Sequence, residues 1–263
     1  MNETEIIYGK NPVIEAIKSR RIHRIWIIES TYKRLREQLH VDRALISVVS
    51  KAEVSKIAER PDHQGIIAKV DKFVFSPIDA LLSARSGVVL ALDGITDPRN
   101  LGAIVRSAVI LGAVGIVIPS KNSSDITPVV CHASAGGTEH IAIAKVDSIL
   151  HTINLFKERG FAIACADLPS DGVISIDEFD PPNKLALVMG SEEGLRKRVR
   201  AASDFVLTIP QSSDFDSFNV SVAAGIILWE LSSKKKRPSN TALWCQSPET
   251  LFCVLPGNCK PMG

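Results

Sequence analysis

Ile209-Pro-Gln-Ser-Ser-Asp-Phe-Asp-Ser217-Phe218-Asn219-Val-Ser-Val-Ala-Ala-Gly-Ile-Ile-Leu-Trp-Glu-Leu231 joins a polar loop directly to an apolar helix. Ser, Asp and Asn are favoured at helix starts because their side chains accept backbone N–H groups that have no intrahelical partner. Capping needs only one such residue, yet Ser217 and Asn219 bracket Phe218 and Ser221 follows. Val220, Val222, Ala223, Ile226, Ile227 and Leu231 form a stripe wide enough to be buried on most sides. Ala223, Ala224 and Gly225 leave room for another backbone to come close. Taken alone, the segment is an ordinary capped core helix. Two segments upstream change its meaning.

From Val88 the chain alternates strands and helices. Strands are expected at 88–92, 115–118, 161–166, 185–189 and 205–209, with helices at 99–111, 148–159 and 196–201 between them. This interleaving implies an α/β fold with a mainly parallel sheet covered on both faces. Ligands in such sheets bind beyond the carboxyl ends of the strands, so the loops after Leu92, Met189 and Ile209 are where chemistry is expected.

The first loop, Asp93-Gly-Ile-Thr-Asp-Pro-Arg-Asn100-Leu-Gly-Ala-Ile-Val-Arg106, puts Asn100 in the first turn of a helix. Leu101, Ile104, Val105 and Ala108 are its buried stripe. Arg106 falls off that stripe, roughly 120° round from Asn100 by helical geometry, with a side chain long enough to reach back. It reads equally as a solvated arginine. The second loop, Met189-Gly190-Ser191-Glu192-Glu193-Gly194, lets backbone N–H groups approach a ligand closely. Its two acids repel phosphate and suit a cationic ligand or one offering hydroxyls. The Walker and dinucleotide glycine fingerprints are absent, which argues against nucleotide hydrolysis and nicotinamide chemistry.

The N-terminal part reads as a separate small α/β unit. Asn11-Pro12 is an N-cap with proline at the first helical position, opening a helix through Ile17. Strands follow at 24–28, 45–49 and 65–70, with helices at 32–39 and 52–58. Residues 18–43 hold eight Lys/Arg against three acids, a solvated face or a phosphate-binding surface. Residues 73–86 look like a linker holding a short helix. After Pro238 the composition changes, and 239–263 read as a disordered tail with no assigned function.

Composition narrows the class. Charged residues at 23% and hydrophobic ones at 45% are ordinary for a globular protein. Aromatics at 5% disfavour base-stacking platforms, and a net charge of +2 marks no nucleic-acid binder by itself. The start, Met-Asn-Glu-Thr-Glu, carries no signal peptide, and the last helix is short of the about 20 apolar residues that span a bilayer. The five cysteines have no metal-ligand spacing. A cytoplasmic protein with no metal and no membrane partner is expected.

The motifs Asp93–Arg106, Met189-Gly-Ser-Glu192, and Ile209-Pro with Ser217-Phe218-Asn219-Val-Ser-Val resemble, in order, the three motifs of the SPOUT-superfamily RNA ribose 2′-O-methyltransferases. His132-Ala-Ser-Ala-Gly-Gly137 also resembles a family element. Tyr8-Gly-Lys-Asn-Pro-Val-Ile-Glu-Ala-Ile17 and His63-Gln-Gly-Ile-Ile-Ala68 are similar to the accessory RNA-binding domain of the ribosomal RNA branch. The likeness runs from about residue 6 to 237. It departs from the family pattern in a second motif one residue short, in Phe218 where leucine is usual, and in Gln211 where methionine is usual.

The resemblance implies an RNA-binding domain at 1–72, a linker at 73–86 and a trefoil-knotted, parallel-sheet methyltransferase domain at 87–238. Backbone groups at Gly190, Ile209 and Phe218 would hold S-adenosyl-L-methionine. Arg106, Asn100, Glu192, Ser217 and Asn219 would be the catalytic set of an obligate homodimer, with the last helix against the second subunit. The family assigns Arg106 as general base, which is physically awkward because a guanidinium stays protonated across the physiological range. Binding phosphate or hydroxyl and stabilising a developing alkoxide suits it better. The implied substrate is a guanosine ribose of 23S rRNA. A tRNA ribose methyltransferase and a non-catalytic RNA-binding assembly factor on the same fold are the alternatives.

Overall fold

The computed structural model describes residues 3–170, 172–191, 194–212 and 217–236. The expected tail at 239–263 and Glu192 lie outside these residues. Two sheets carry the fold. The first has strand order β1-β4-β2-β3, from β1 (Thr4–Tyr8), β2 (Ile22–Ile28), β3 (Ile46–Val49) and β4 (Ile66–Asp71). Helices α1 (Lys10–Lys18), α2 (Glu29–Leu35) and α3 (Lys51–Ala58) lie between its strands. A short helix α4 (Ile78–Leu82) follows, with Leu81 and Leu82 buried.

The second sheet is parallel at every pairing and runs β7-β6-β5-β10-β8-β11-β9. Its strands are β5 (Gly87–Asp93), β6 (Gly115–Pro119), β7 (Ala142–Val146), β8 (Ala162–Ala166), β9 (Ile174–Ser175), β10 (Lys184–Gly190) and β11 (Phe205–Thr208). Strand β5 is buried from Val88 to Asp93, as a central parallel strand with both faces covered must be. Its alternate residues serve two layers. Leu90 and Leu92 pack with α5 (Pro98–Ile110) and α9 (Val220–Lys236). Val89 and Ala91 pack with α7 (Ile149–Glu158) and α8 (Lys197–Ala202).

Four strands or α-helices were not expected: β1, the edge strands β7 and β9, and α6 (Pro128–Ala133). The first helix also starts earlier than Asn11-Pro12 suggests. Gly9 is its N-cap, at φ 95°, and no side chain in that local segment caps it. Instead Gln64 Oε1, from far along the chain, accepts the Lys10 N–H at 3.0 Å. A Cβ on Gly9 would lie 2.7 Å from His132 Nδ1, so packing between the two parts of the molecule sets this helix start.

That joint uses the His132–Gly137 segment, which therefore does not line the carboxyl edge of the sheet. Tyr8 stacks on His132 with ring centroids 4.6 Å apart, and the Arg60 guanidinium lies 4.6 Å from the Tyr8 ring. Arg21 is paired with both Glu139 and Glu5, all three largely buried. His140 and Glu15 meet at 2.7 Å. Arg21 is thus not part of a phosphate-binding face, whereas Arg20, Arg34 and Arg36 are exposed.

Helix α9 is buried on one side through Val220, Ala224, Ile227, Leu228 and Leu231. Its small residues meet this chain's own α5, since a Cβ on Gly225 would lie 3.8 Å from Ser107 Oγ. The stripe is not buried on most sides as expected: Val222 in it is 49% exposed, and Trp229 beside it 58%.

Candidate active site

The ends of β8, β10 and β11 leave a cleft of about 180 Å³ against the start of α9. Gly190, Ile209, Ser217 and Phe218 all line it, so both loop glycine and third-loop residues converge as expected. Gly190 has no space for a side chain, because a Cβ there would lie 2.7 Å from Gly194 O. In the second loop the Gly194 N–H donates to Ser191 O at 2.9 Å, with Gly194 at φ 90°. Phe218 is 42% exposed and Gln211 lies on the cleft wall, so both departures from the family pattern sit where a ligand would touch them.

Asn219, the residue before α9, performs two tasks. Its Oδ1 accepts from Ser221 N at 2.9 Å and from Ser221 Oγ at 2.6 Å, which caps the helix. Its Nδ2 donates to Asn100 Oδ1 at 3.1 Å, which ties the third loop to the first. Asn100 is half-buried in the first turn of α5, whose N-cap Asp97 accepts the Arg99 N–H at 2.7 Å. Arg106 is exposed and lines neither this cleft nor the cavity beside it. No hydrogen bond among the described residues joins it to Asn100, although the helix geometry allows its side chain to reach back.

Several site residues carry no motif signal. Arg196, ahead of α8, donates through Nε to Asp93 Oδ2 at 2.8 Å and through Nη2 to Oδ1. Asp93 is 5% exposed at the end of β5, and its carboxylate holds Arg196 above its usual pKa. This fork fastens the second loop to the first. Ala166, Asp167 and Leu168 after β8 form another wall, with Asp167 held by Arg200 at 2.7 Å. Thr208 also lines the cleft, and its Oγ1 is buried with no hydrogen-bond partner among the described residues. Such hydroxyls are uncommon and leave a valence that a ligand or an ordered water can fill. Among the described residues no group of three His, Cys, Asp or Glu could hold a metal ion, and no helix is long and apolar enough to cross a membrane.

A parallel sheet with three loops knitted together at its carboxyl edge defines an α/β ligand-binding protein, and the comparisons narrow it. Residues 87–229 match the model of the SpoU rRNA methylase family, and residues 6–75 match one for RNA 2′-O ribose methyltransferase substrate binding. The chain belongs to the SpoU rRNA methylase family. It is 34% identical to an uncharacterized tRNA/rRNA methyltransferase of Mycobacterium avium, over 89% of this chain and 79% of that one. It is 33% identical to a Bacillus subtilis protein of the TrmH family of tRNA/rRNA methyltransferases, over 88% and 96% of the two chains. Its fold is similar to an AdoMet-bound rRNA methyltransferase from Sinorhizobium meliloti, at TM-score 0.73 and 22% identity over 89% and 88% of the chains. The SpoU methyltransferase AviRb from Streptomyces viridochromogenes, in complex with AdoMet, is similar at TM-score 0.73 and 22% identity over 88% and 90%.

Proposed function

We propose that this chain transfers the methyl group of S-adenosyl-L-methionine to a ribose 2′-hydroxyl of RNA, with a guanosine of 23S rRNA as the substrate. The observation that carries the reading is the Asn219–Asn100 hydrogen bond beside a cleft lined by Gly190, Ile209 and Phe218. It joins the segments on which methyl donor and nucleophile would meet.

The cleft suits the cofactor. Gly190 admits no side chain, Leu168, Leu195 and Ile227 supply apolar wall, and the orphaned Thr208 hydroxyl offers a donor and an acceptor. Backbone groups at Gly190, Ile209 and Phe218 would hold the adenosine part. When bound, the cofactor supplies an electrophilic methyl on a good leaving group, so alignment and proton handling are what remain for the protein. Asn100, fixed by Asn219, would orient the ribose. Ser217 faces the cleft and would contact the cofactor or ribose. In this reading Glu192 orients the same group, and Arg106 binds the neighbouring phosphate and stabilises the developing alkoxide.

A trefoil passage of the chain around the cleft belongs to this reading. It is supported by β10 lying between β5 and β8, with α9 returning to pack on α5. So does a homodimer: Val222 and Trp229 present exposed apolar surface on one helix, which a second copy would cover. Residues 1–72 would form the RNA-binding domain, 73–86 its linker and 87–238 the methyltransferase domain. Exposed Arg20, Arg34 and Arg36 would supply phosphate attraction. A cytoplasmic location follows from the substrate.

The decisive experiment maps ribose methylation on rRNA and tRNA from cells with and without the gene. Loss of one 23S rRNA methyl group is expected. Loss confined to tRNA would move the substrate to tRNA, and no change in either would leave an RNA-binding assembly factor.

A further inference from the structure

Beside the cofactor cleft lies a second and larger cavity of about 720 Å³, beyond the carboxyl ends of β5, β6 and β7. Its size falls within the about 300–1,000 Å³ usual for small-molecule sites. Ser191, Gly194, Leu195 and Val220 line both spaces, so the two share a wall. Asn100 lines only the second. We infer that this cavity receives the nucleobase of the target nucleotide, and that Asp147, Asn122 and Lys121 form its recognition edge for guanine. The inference rests on the methyltransferase reading above.

Substrate geometry requires such a space. In an RNA helix the 2′-hydroxyls line a shallow groove, and a donor group inside a cleft is beyond their reach. The target nucleotide must leave the stack, and an extruded base needs a pocket whose polar groups replace its lost partners. The narrow cleft has no room for it once the cofactor is bound. The adjoining cavity does, and Asn100 on its border marks where the ribose must sit.

The charges indicate which part of the nucleotide enters. Asp93 and Arg196 neutralise each other through their fork. Asp97 and Asp147 then stand against Lys121, an excess of acceptors that repels phosphate and favours N–H donors. Asp97 spends Oδ1 on the Arg99 N–H, while Asp147 spends Oδ1 on Ser120 Oγ at a longer 3.1 Å. A carboxylate has about four lone-pair sites, so Asp147 retains the capacity to accept two adjacent N–H groups. Asn122 and Lys121, both exposed and in no ion pair among the described residues, add donors. Two acceptor sites beside a donor complement guanine, whose edge offers N1–H, the N2 amino group and the O6 carbonyl. Adenine and the pyrimidines lack that order of groups.

The test uses the full-length protein, a 23S rRNA transcript and single-turnover methyl transfer, with cofactor affinity read by calorimetry. Asp147→Asn and Lys121→Ala should each lower the second-order rate constant for the transcript by about tenfold or more. Cofactor affinity should stay within about twofold, and both variants should melt with the wild type because both residues are exposed. Replacing the target guanosine by inosine, which lacks the N2 amino group, should slow the wild type while adding little to the loss in Asp147→Asn. Wild-type rates in both variants, an equal inosine effect in both proteins, or a target other than guanosine would overturn the guanine pocket while leaving methyl transfer intact. A wild-type protein that methylates neither rRNA nor tRNA overturns the underlying reading, and this inference with it.

Discussion

Asn219 caps α9 with one end of its amide and holds Asn100 with the other, at 2.9 Å to Ser221 N and 3.1 Å to Asn100 Oδ1. One side chain therefore couples helix formation to the geometry of two loops. The two tasks separate by substitution. Asn219→Asp retains the accepting oxygen and the cap but loses the donor to Asn100. It should melt near the wild type while methyl transfer falls by about tenfold or more. Asn219→Ala should lose both, with about 1 kcal/mol of stability gone by thermal denaturation. Equal activity in Asn219→Asp and wild type would remove Asn219 from the site.

Arg106 is exposed on α5 and lines neither cavity. Arg106→Ala should therefore leave stability within about 0.5 kcal/mol of the wild type and cofactor affinity nearly unchanged. Methyl transfer should nevertheless be abolished, because the RNA phosphate or alkoxide loses its guanidinium partner. Retained single-turnover activity would sink its assignment.

Thr208 offers a test of the cleft that does not need turnover. Thr208 is 8% exposed and its Oγ1 has no hydrogen-bond partner among the described residues, so valine of the same shape removes an unsatisfied hydroxyl. Thr208→Val should melt at or above the wild type without cofactor. Calorimetry should show S-adenosylmethionine binding weakened about threefold to tenfold. A lower melting temperature with unchanged affinity would mean that the hydroxyl serves the fold alone.

Arg21 ties the first sheet to the segment after α6 by holding Glu5 and Glu139 together. Burial pushes the Glu5 carboxyl up from its ordinary 4.5, and Arg21 opposes that rise. A carboxyl raised on folding favours the native state below its unfolded pKa and loses that contribution as pH climbs through the folded value. Arg21→Ala removes the opposing charge and leaves two acids facing each other, at a cost of order 3 kcal/mol near neutral pH. The deficit should shrink toward pH 4.5, where protonation of Glu5 relieves the repulsion. Melting curves of both proteins across this range check the sign.

The Cys131 thiol is buried and its pKa is pushed up to about 11 from an ordinary 9.0. Its contribution to stability is complete below pH 9 and is lost as pH rises through about 11, because the unfolded thiol ionises first. The native protein should react slowly with thiol reagents at pH 8, and Cys131→Ala should lose part of the alkaline decline in melting temperature. A fast-reacting Cys131 would show that the α6 region opens readily.

The sequence alone determined the α/β class, the parallel sheet and three loops at its carboxyl edge. Buried parallel strands such as Val88–Leu92 read as continuous apolar runs, and helices such as Leu101–Ala108 show their own period. Residues such as Gly190 and Asn219 were legible because loop backbone and cap chemistry are local. Tertiary structure decided the rest through contacts between distant residues. Gln64, not Asn11, caps the first helix; Arg21 turns inward to Glu139; Arg196 forks onto Asp93; and Asp147 joins Lys121 around a cavity. No local pattern encodes these pairings, because their energy arises only when packing brings charges and orphaned donors from separate segments into the same partly dry space.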